Sequence, residues 1–240
     1  LNTIVAEQLL EFKVSVDTRI EKGDGKDEAI LKELQVLIKR SKNIRFEGNG
    51  YGDEWVKEAT KRGLSNLRTT PEALVVWGRK EVVDLFKTMK VFLPEELAAR
   101  REIEYEKYSM KREIEATIAI DMAQNTILPA AISYQNFLLE NIMGVEEAFG
   151  KQGSKMTVPQ RDILKKTSSL VNDLYASINE LKKSLDKANS LKTQQQKSES
   201  YGIDVTPLIE KLGASCTSLE GLIDNELWPL PKFQELLFTR

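Results

Sequence analysis

The stretch ILKKTSSLVNDLYASINELKKSLDKA, residues 163–188, decides the fold class. Ile163, Thr167, Leu170, Leu174, Ile178, Leu181, Leu185 and Ala188 follow one another at steps of 4, 3, 4, 4, 3, 4 and 3. Side chains three and four apart share one face of an α-helix, whereas a strand needs a period of two. The spacing predicts a long helix with a heptad-like seam. Val205, Leu208, Leu212, Ser215, Leu219 and Leu222 repeat the pattern after the polar spacer LKTQQQKSESYG, residues 191–202. Two seamed helices joined by a short linker pack antiparallel. Each buried leucine then contributes about 1.5–3 kcal/mol.

Upstream of the seam, residues from about Pro94 to Asn141 read as one long helix. Ile103, Met110, Ile114, Ile118, Met122 and Ile127 supply its apolar stripe, which makes it the expected third wall of a bundle. Pro129 lacks an N–H and its ring clashes with the preceding turn, at a cost of about 3 kcal/mol in a helix interior. A kink is therefore expected near residues 125–129. A loop rich in Gly and Lys is expected over roughly residues 144–158.

Shorter helices come first. Val5, Leu9, Phe12, Val16 and Ile20 form one helical face that ends at the turn Gly23-Asp24-Gly25. Ile30, Leu34, Leu37 and Ile38 form a second. Ile44 and Phe46 alternate with charged neighbours and suit a short extended piece. Asp53 suits the cap of a short helix through Lys61 that Gly63 stops, and Thr70-Pro71-Glu72 reads as a helix start with Thr70 as N-cap. The tail ELWPLPKFQELLFTR, residues 226–240, cannot be one helix because of Pro229 and Pro231, and it is too apolar to hang in water. The expectation is an all-α chain: a long kinked helix plus an antiparallel helical hairpin in a bundle, shorter N-terminal helices and a docked Pro-rich tail. Residues 1–92 form the N-terminal segments and residues 93–240 the bundle with its tail.

Composition narrows the chemistry. The 240 residues carry 35 basic and 37 acidic side chains, a net charge of −2, with no histidine and one cysteine, Cys216. Ser-His-Asp and Cys-His sites, His-containing zinc sites and Glu-x-x-His di-iron sites are excluded, as is a disulfide within the chain. The charge argues against nucleic acid, which wants a basic excess. The longest uncharged run, Met122 to Leu139, holds Gln124, Asn125, Thr126, Ser133, Gln135 and Asn136, too polar for a membrane span. The opening LNTIVAEQLLEF has neither an initiator Met nor a basic region, so it is not a signal peptide and reads as a piece of something longer. These features point to the cytoplasm.

No constellation of residues reads as catalytic. Gly48, Gly50 and Gly52 lack the Lys-Ser/Thr of a P-loop and suit a turn. Asp24, Asp27 and Glu28 lack the ligand spacing of a calcium loop. Glu102, Glu104, Glu106, Glu113 and Glu115 interleave with Arg100, Arg101, Lys107, Lys111 and Arg112 as a solvated face. Lys182, Lys183 and Lys187 read as solvent cover, and Cys216 as a small core residue with no histidine to activate it. Trp55 and Trp77 read as packing anchors. Trp228 suits packing within this chain or on a neighbour. The expectation is no catalytic, cofactor or metal residue, with Trp55, Trp228, Pro229, Phe233 and Phe238 as candidates for packing or subunit contact.

Four segments in series carry a more specific signal: LNTIVAE at the start, RFEGNGYGDEWVKEATKRGLSNLRTTPEAL at 45–74, IDMAQNTILPAAISY at 120–134 and ELWPLPKFQELLF at 226–238. Together they resemble the C-terminal part of a type III glutamine synthetase, a glutamate–ammonia ligase. The resemblance runs through the whole chain, is weakest at residues 77–91 and 144–155, and over 163–222 lies in character more than in letters. It implies that the opening helix follows a strand bearing the last active-site residues, and that metal-binding glutamates, glutamate-binding arginines and nucleotide contacts all lie upstream. ATP with Mg or Mn belongs to the parent enzyme and no cofactor to these residues. The implied partners are the catalytic domain of the same polypeptide and further copies in a double-ring homo-oligomer. Without the resemblance, periodicity alone favours a free-standing helical interaction module.

Overall fold

The computed structural model describes residues 1–237, the side chains of Phe233 and Gln234 excepted. Every regular element among them is helical. The helices are α1 (Asn2–Glu21), α2 (Lys26–Arg40), α3 (Asp53–Lys61), α4 (Thr70–Val75), α5 (Lys80–Thr88), α6 (Pro94–Met122), α7 (Leu128–Phe149), α8 (Gly153–Met156), α9 (Val158–Asn189), α10 (Gln194–Ser200), α11 (Thr206–Glu220) and α12 (Phe233–Leu236). The chain divides into two units, residues 1–104 and residues 105 onward, with the division falling inside α6.

In the second unit the predicted seam is the spine of the core. Thr167, Leu174, Ile178, Leu181 and Ala188 of α9 are buried, and Ile163, Leu170 and Leu185 pack at its margin. Val205, Leu212 and Leu219 face them from the returning helix, which runs antiparallel as the short connection requires. The connection is shorter than the polar spacer: Thr193 caps a helix by accepting from Gln196 N–H at 3.2 Å, so most of the spacer is helical. The long helix supplies the third wall through Ala116, Ala123, Ile127, Ala131, Tyr134 and Leu138.

A π-helical turn joins α6 to α7 at Ala123–Ile127 and another joins α10 to α11 at Tyr201–Val205, each ending two residues before a proline, Pro129 or Pro207. A wider turn accommodates the missing N–H and the ring clash. The Tyr201 carbonyl accepts the Thr206 N–H across the widened turn, and Thr206 Oγ1 donates to the same oxygen at 2.8 Å. The expected kink is thus a π turn, and Pro207 marks a second one that the sequence reading passed over.

Other expectations are corrected. Ile103, Met110, Ile114, Ile118 and Met122 are exposed, and Ile127 lies on the opposite, buried face. The buried positions of α6 in the second unit are Tyr105, Ser109 and Ala116, and the aliphatic stripe points outward. The expected loop at 144–158 is mostly helical: α7 runs to Phe149, then a 3₁₀ turn and α8 lead into α9. Gly150 takes a positive φ of 55° there. Gly153 lies so close to α7 that a Cβ would sit 2.6 Å from Glu146 Cα.

In the first unit α1 and α2 form an antiparallel hairpin around Gly23, whose φ is 104°. Arg19 pairs with Glu33, Arg40 with Glu11 at 3.2 Å, and Lys32 with Asp24 at 2.9 Å. Its buried core is thin: Val16 and Ala29 are buried, while Val5, Leu9, Ile20, Leu34, Leu37 and Ile38 are exposed. The extended piece expected at Ile44 and Phe46 starts one residue late: Ser41–Ile44 is a 3₁₀ turn and the backbone is extended at Arg45. The cap of α4 is Thr69, one residue before the expected Thr70, because a full capping box with Glu72 forms from there.

Candidate functional site

Trp55 stands on α3, with Asp53 and Glu54 in the first turn favouring the positive helix end. Its ring stacks on Phe46 with centroids 4.5 Å apart, and the Arg62 guanidinium lies 5.6 Å from the indole centroid. Arg62 also donates to Glu58 Oε1 at 2.7 Å and to the Arg45 carbonyl at 2.7 Å, tying the preceding loop to α3. Glu58 is held below the usual carboxylate range by Arg62. Gly48 lets the chain fold back over Phe46, since a Cβ would sit 2.8 Å from the ring. Tyr51 N–H donates to Asn49 Oδ1 at 3.0 Å. The glycine string is a turn beside a packed tryptophan. Gly63, at φ 76°, ends α3.

Trp228 is 7% exposed and belongs to the core of the second unit, with Leu230 packed beside it. Its ring packs on residues of the chain itself. Pro229 is exposed. Phe233 opens α12, and Phe238 lies outside the described residues. Lys232 Nζ donates to the Ile223 carbonyl at 2.8 Å and fastens the tail. Between the tail, α11 and the long helix runs an apolar groove of about 280 Å³, bordered by Met122, Ile127, Ile209, Cys216, Trp228 and Leu230. Burial pushes the Cys216 thiol up, so it stays protonated and unreactive at neutral pH.

A polar chain crosses the second unit. Tyr201 Oη donates to Asn189 Oδ1 at 2.6 Å, and Asn189 Nδ2 donates to Glu113 Oε1 at 2.9 Å. Burial, with the Glu113 charge adding to it, pushes the Tyr201 phenol up to about 12. The neutral phenol thus ties α6, the end of α9 and the second π turn together. Sequence reasoning placed Tyr201 in a polar linker; the proline two residues past Val205 was the signal that the helix is interrupted and continues. Lys182 bonds Gln124 and Lys187 reaches Asp204 at 3.4 Å, so two of the three lysines read as solvent cover are also cross-links.

Among the described residues no three His, Cys, Asp or Glu side chains come together as a cation site. No helix among them is long and apolar enough to cross a membrane.

Residues 29–146 match the family model of the glutamine synthetase C-terminal domain. A glutamine synthetase of Bacteroides fragilis (strain YCH46) is 40% identical over the whole chain. A type-3 glutamine synthetase of Dictyostelium discoideum is 28% identical over the whole chain, and a glutamine synthetase of Butyrivibrio fibrisolvens is 27% identical over 90% of it. The chain spans about a third of the length of these relatives: 33%, 33% and 31%. Matched along its whole length by such enzymes, and folded as the helical region their resemblance implied, the chain belongs to the glutamine synthetase C-terminal domain family.

Proposed function

We propose that this chain is the helical brace of a glutamate–ammonia ligase, which in its complete form condenses glutamate with ammonia at the expense of ATP and works in the cytoplasm as a double-ring homo-oligomer. The observation that carries the reading is the α1–α2 hairpin. Val5, Leu9, Leu10, Leu34 and Ile38 are exposed on it, more apolar side chain than a finished surface presents. The relatives are about three times as long as this chain, so a large body of polypeptide is available to cover that face. The proposed partner is the catalytic domain of the same polypeptide.

The chemistry belongs to that domain. ATP and Mg or Mn would be held there, in polypeptide that the relatives have beyond the third matched by this chain. The tail holds the brace together through Trp228 rather than reaching outward with it.

The test pairs two measurements. The 240-residue chain is assayed for glutamine formation from glutamate, ammonia and ATP–Mg, with none expected. The full-length polypeptide carrying Val5→Glu and Leu9→Glu is then compared with its parent. Activity and assembly are expected to fall, while the helical content and melting of the isolated chain with the same changes stay unaltered. Turnover by the isolated chain, or full activity in the doubly substituted polypeptide, refutes the brace; in the latter case a free-standing interaction module becomes the better account.

A further inference from the structure

The turn that leads into α3 holds the one Asn-Gly pair of the sequence, Asn49-Gly50. Both residues are exposed, and Tyr51 after them is fully so. Tyr51 N–H donates to Asn49 Oδ1 at 3.0 Å, and Gly52 N–H to the Asn49 carbonyl at 3.1 Å. The other groups of the turn are unengaged: among the described residues neither Gly50 N–H nor Asn49 Nδ2 donates a hydrogen bond. No side chain stands beside Gly50, where even an added Cβ would meet nothing within 4 Å.

These are the ingredients of an attack within the chain. The Asn49 side-chain carbonyl is an electrophile one residue from the Gly50 nitrogen. Closing a cyclic imide between them needs a nitrogen that can lose its proton and a backbone free to bring it round. An N–H held in a helix supplies neither, whereas an unbonded glycine N–H supplies both. The Tyr51 N–H on Oδ1 favours the negative charge that builds on that oxygen during attack. Asn189-Ser190 shows the opposite case. Asn189 uses both side-chain polar atoms, on Tyr201 and Glu113, and Ser190 N–H is bonded to the Asp186 carbonyl at 3.1 Å.

We propose that Asn49 is a self-modification site, converted by the Gly50 main-chain nitrogen and water to aspartate and isoaspartate. Hydroxide takes the Gly50 N–H proton. A bond forms from that nitrogen to Asn49 Cγ, and the Cγ–Nδ2 bond breaks, Nδ2 leaving as ammonia with a proton from water. Water then opens the imide. Attack at Cγ restores the main chain and leaves aspartate; attack at the main-chain carbonyl leaves the chain running through Cγ as isoaspartate. The sum is amide plus water to acid plus ammonia, with no oxidant or cofactor. Either product adds a negative charge. The isoaspartyl link also inserts Cβ into the main chain and makes a branch of the carbonyl that accepts Gly52 N–H, which loosens the turn before α3 and its Trp55. The proposal rests on this turn alone and stands or falls independently of the brace reading.

Ageing at mildly alkaline pH tests it, on the 240-residue chain and on the full-length polypeptide, with peptide mapping by mass spectrometry at intervals. In both, Asn49 is expected to convert ahead of every other asparagine, to give separable aspartyl and isoaspartyl peptides, and to convert faster as pH rises. Gly50→Ala fits the turn without contact and is expected to slow conversion about tenfold, because its Cβ hinders the attacking nitrogen. The chain in denaturant sets the rate without structure; Asn49 of the folded chain should keep pace with it, while Asn189 falls far behind. An Asn49 that stays intact in the folded chain or in the full-length polypeptide while the denatured chain converts overturns the proposal. So does a Gly50→Ala variant that ages at the parent rate, or an Asn189 that converts as fast as Asn49.

Discussion

The hairpin α1–α2 and the pair formed by α9 with α10 and α11 both place apolar residues at helical spacing, yet their fates differ. In the second unit the seam residues Leu174, Ile178 and Leu181 are buried against Val205, Leu212 and Leu219. In the first, Leu9, Leu34 and Ile38 obey the same spacing and remain exposed, with Val16 and Ala29 as the buried positions of the hairpin. Spacing tells which residues share a face; burial needs a second surface of matching shape. The α9 seam finds one a few residues downstream, and the hairpin does not find enough of one among the described residues. The outward ridge of α6 makes the same point within a single helix, where Met110, Ile114, Ile118 and Met122 stay exposed while Tyr105 and Ala116 are buried.

Substitution separates the two regions. Leu181→Ala is expected to cost about 2–5 kcal/mol in chemical denaturation of the 240-residue chain, through lost burial and the cavity left behind. Leu9→Ala, already exposed, should stay within about 0.5 kcal/mol. Equal costs would erase the contrast and show that α1 has a core of its own.

A smaller effect probes how tightly the second unit closes. Gly153→Ala would place a methyl 2.6 Å from Glu146 Cα and 2.8 Å from the Val145 carbonyl, both backbone, which cannot swing aside. A loss of about 1–3 kcal/mol is expected by thermal or chemical unfolding. Gly144→Ala meets nothing within 4 Å and serves as the control. If both variants behave alike, the approach of α8 to α7 is not tight.

The smallest expected effect is a pH dependence. The Tyr201 phenol is raised from 10.0 to about 12 in the folded chain. A raised value means that the folded state holds the proton more strongly than the unfolded one. Its stabilisation is complete below the unfolded value and is lost as pH rises from about 10 through 12. Tyr201→Phe should flatten that part of the stability profile while weakening the chain at neutral pH by removing the bond to Asn189. An unchanged slope above pH 10 would show that the phenol is not buried as described.

Much of this architecture was legible beforehand. The seams of α9 and α11, the interruption before Pro129 and the turn at Gly23 follow from local rules that act within one or two helical turns. The glycine string was readable as a turn for the same reason: it lacks the residues a phosphate loop needs. What escaped notice depended on partners distant in sequence. Tyr201 looked like linker because its polar surroundings hide an aromatic ring buried against residues some 12 and 88 positions away. The region before α9 looked like a loop because Gly150 and Gly153 signal a break, yet Gly150 only turns the chain with its positive φ and Gly153 lets α8 pack against α7. Trp228 was readable as docked, but the choice between its own core and a neighbour was not.

By itself, then, the amino-acid order determined that these residues form helices, where the prolines and glycines interrupt them, and which enzyme family they belong with. Those properties depend on the backbone preferences and side-chain spacing of near neighbours. Tertiary structure alone decided which apolar face of each helix is inside: α9 and α11 bury theirs, while α6 and the α1–α2 hairpin leave bulky residues in contact with water. The reason is physical. Burial is a property of two surfaces fitting together, and one helix carries only half of that information.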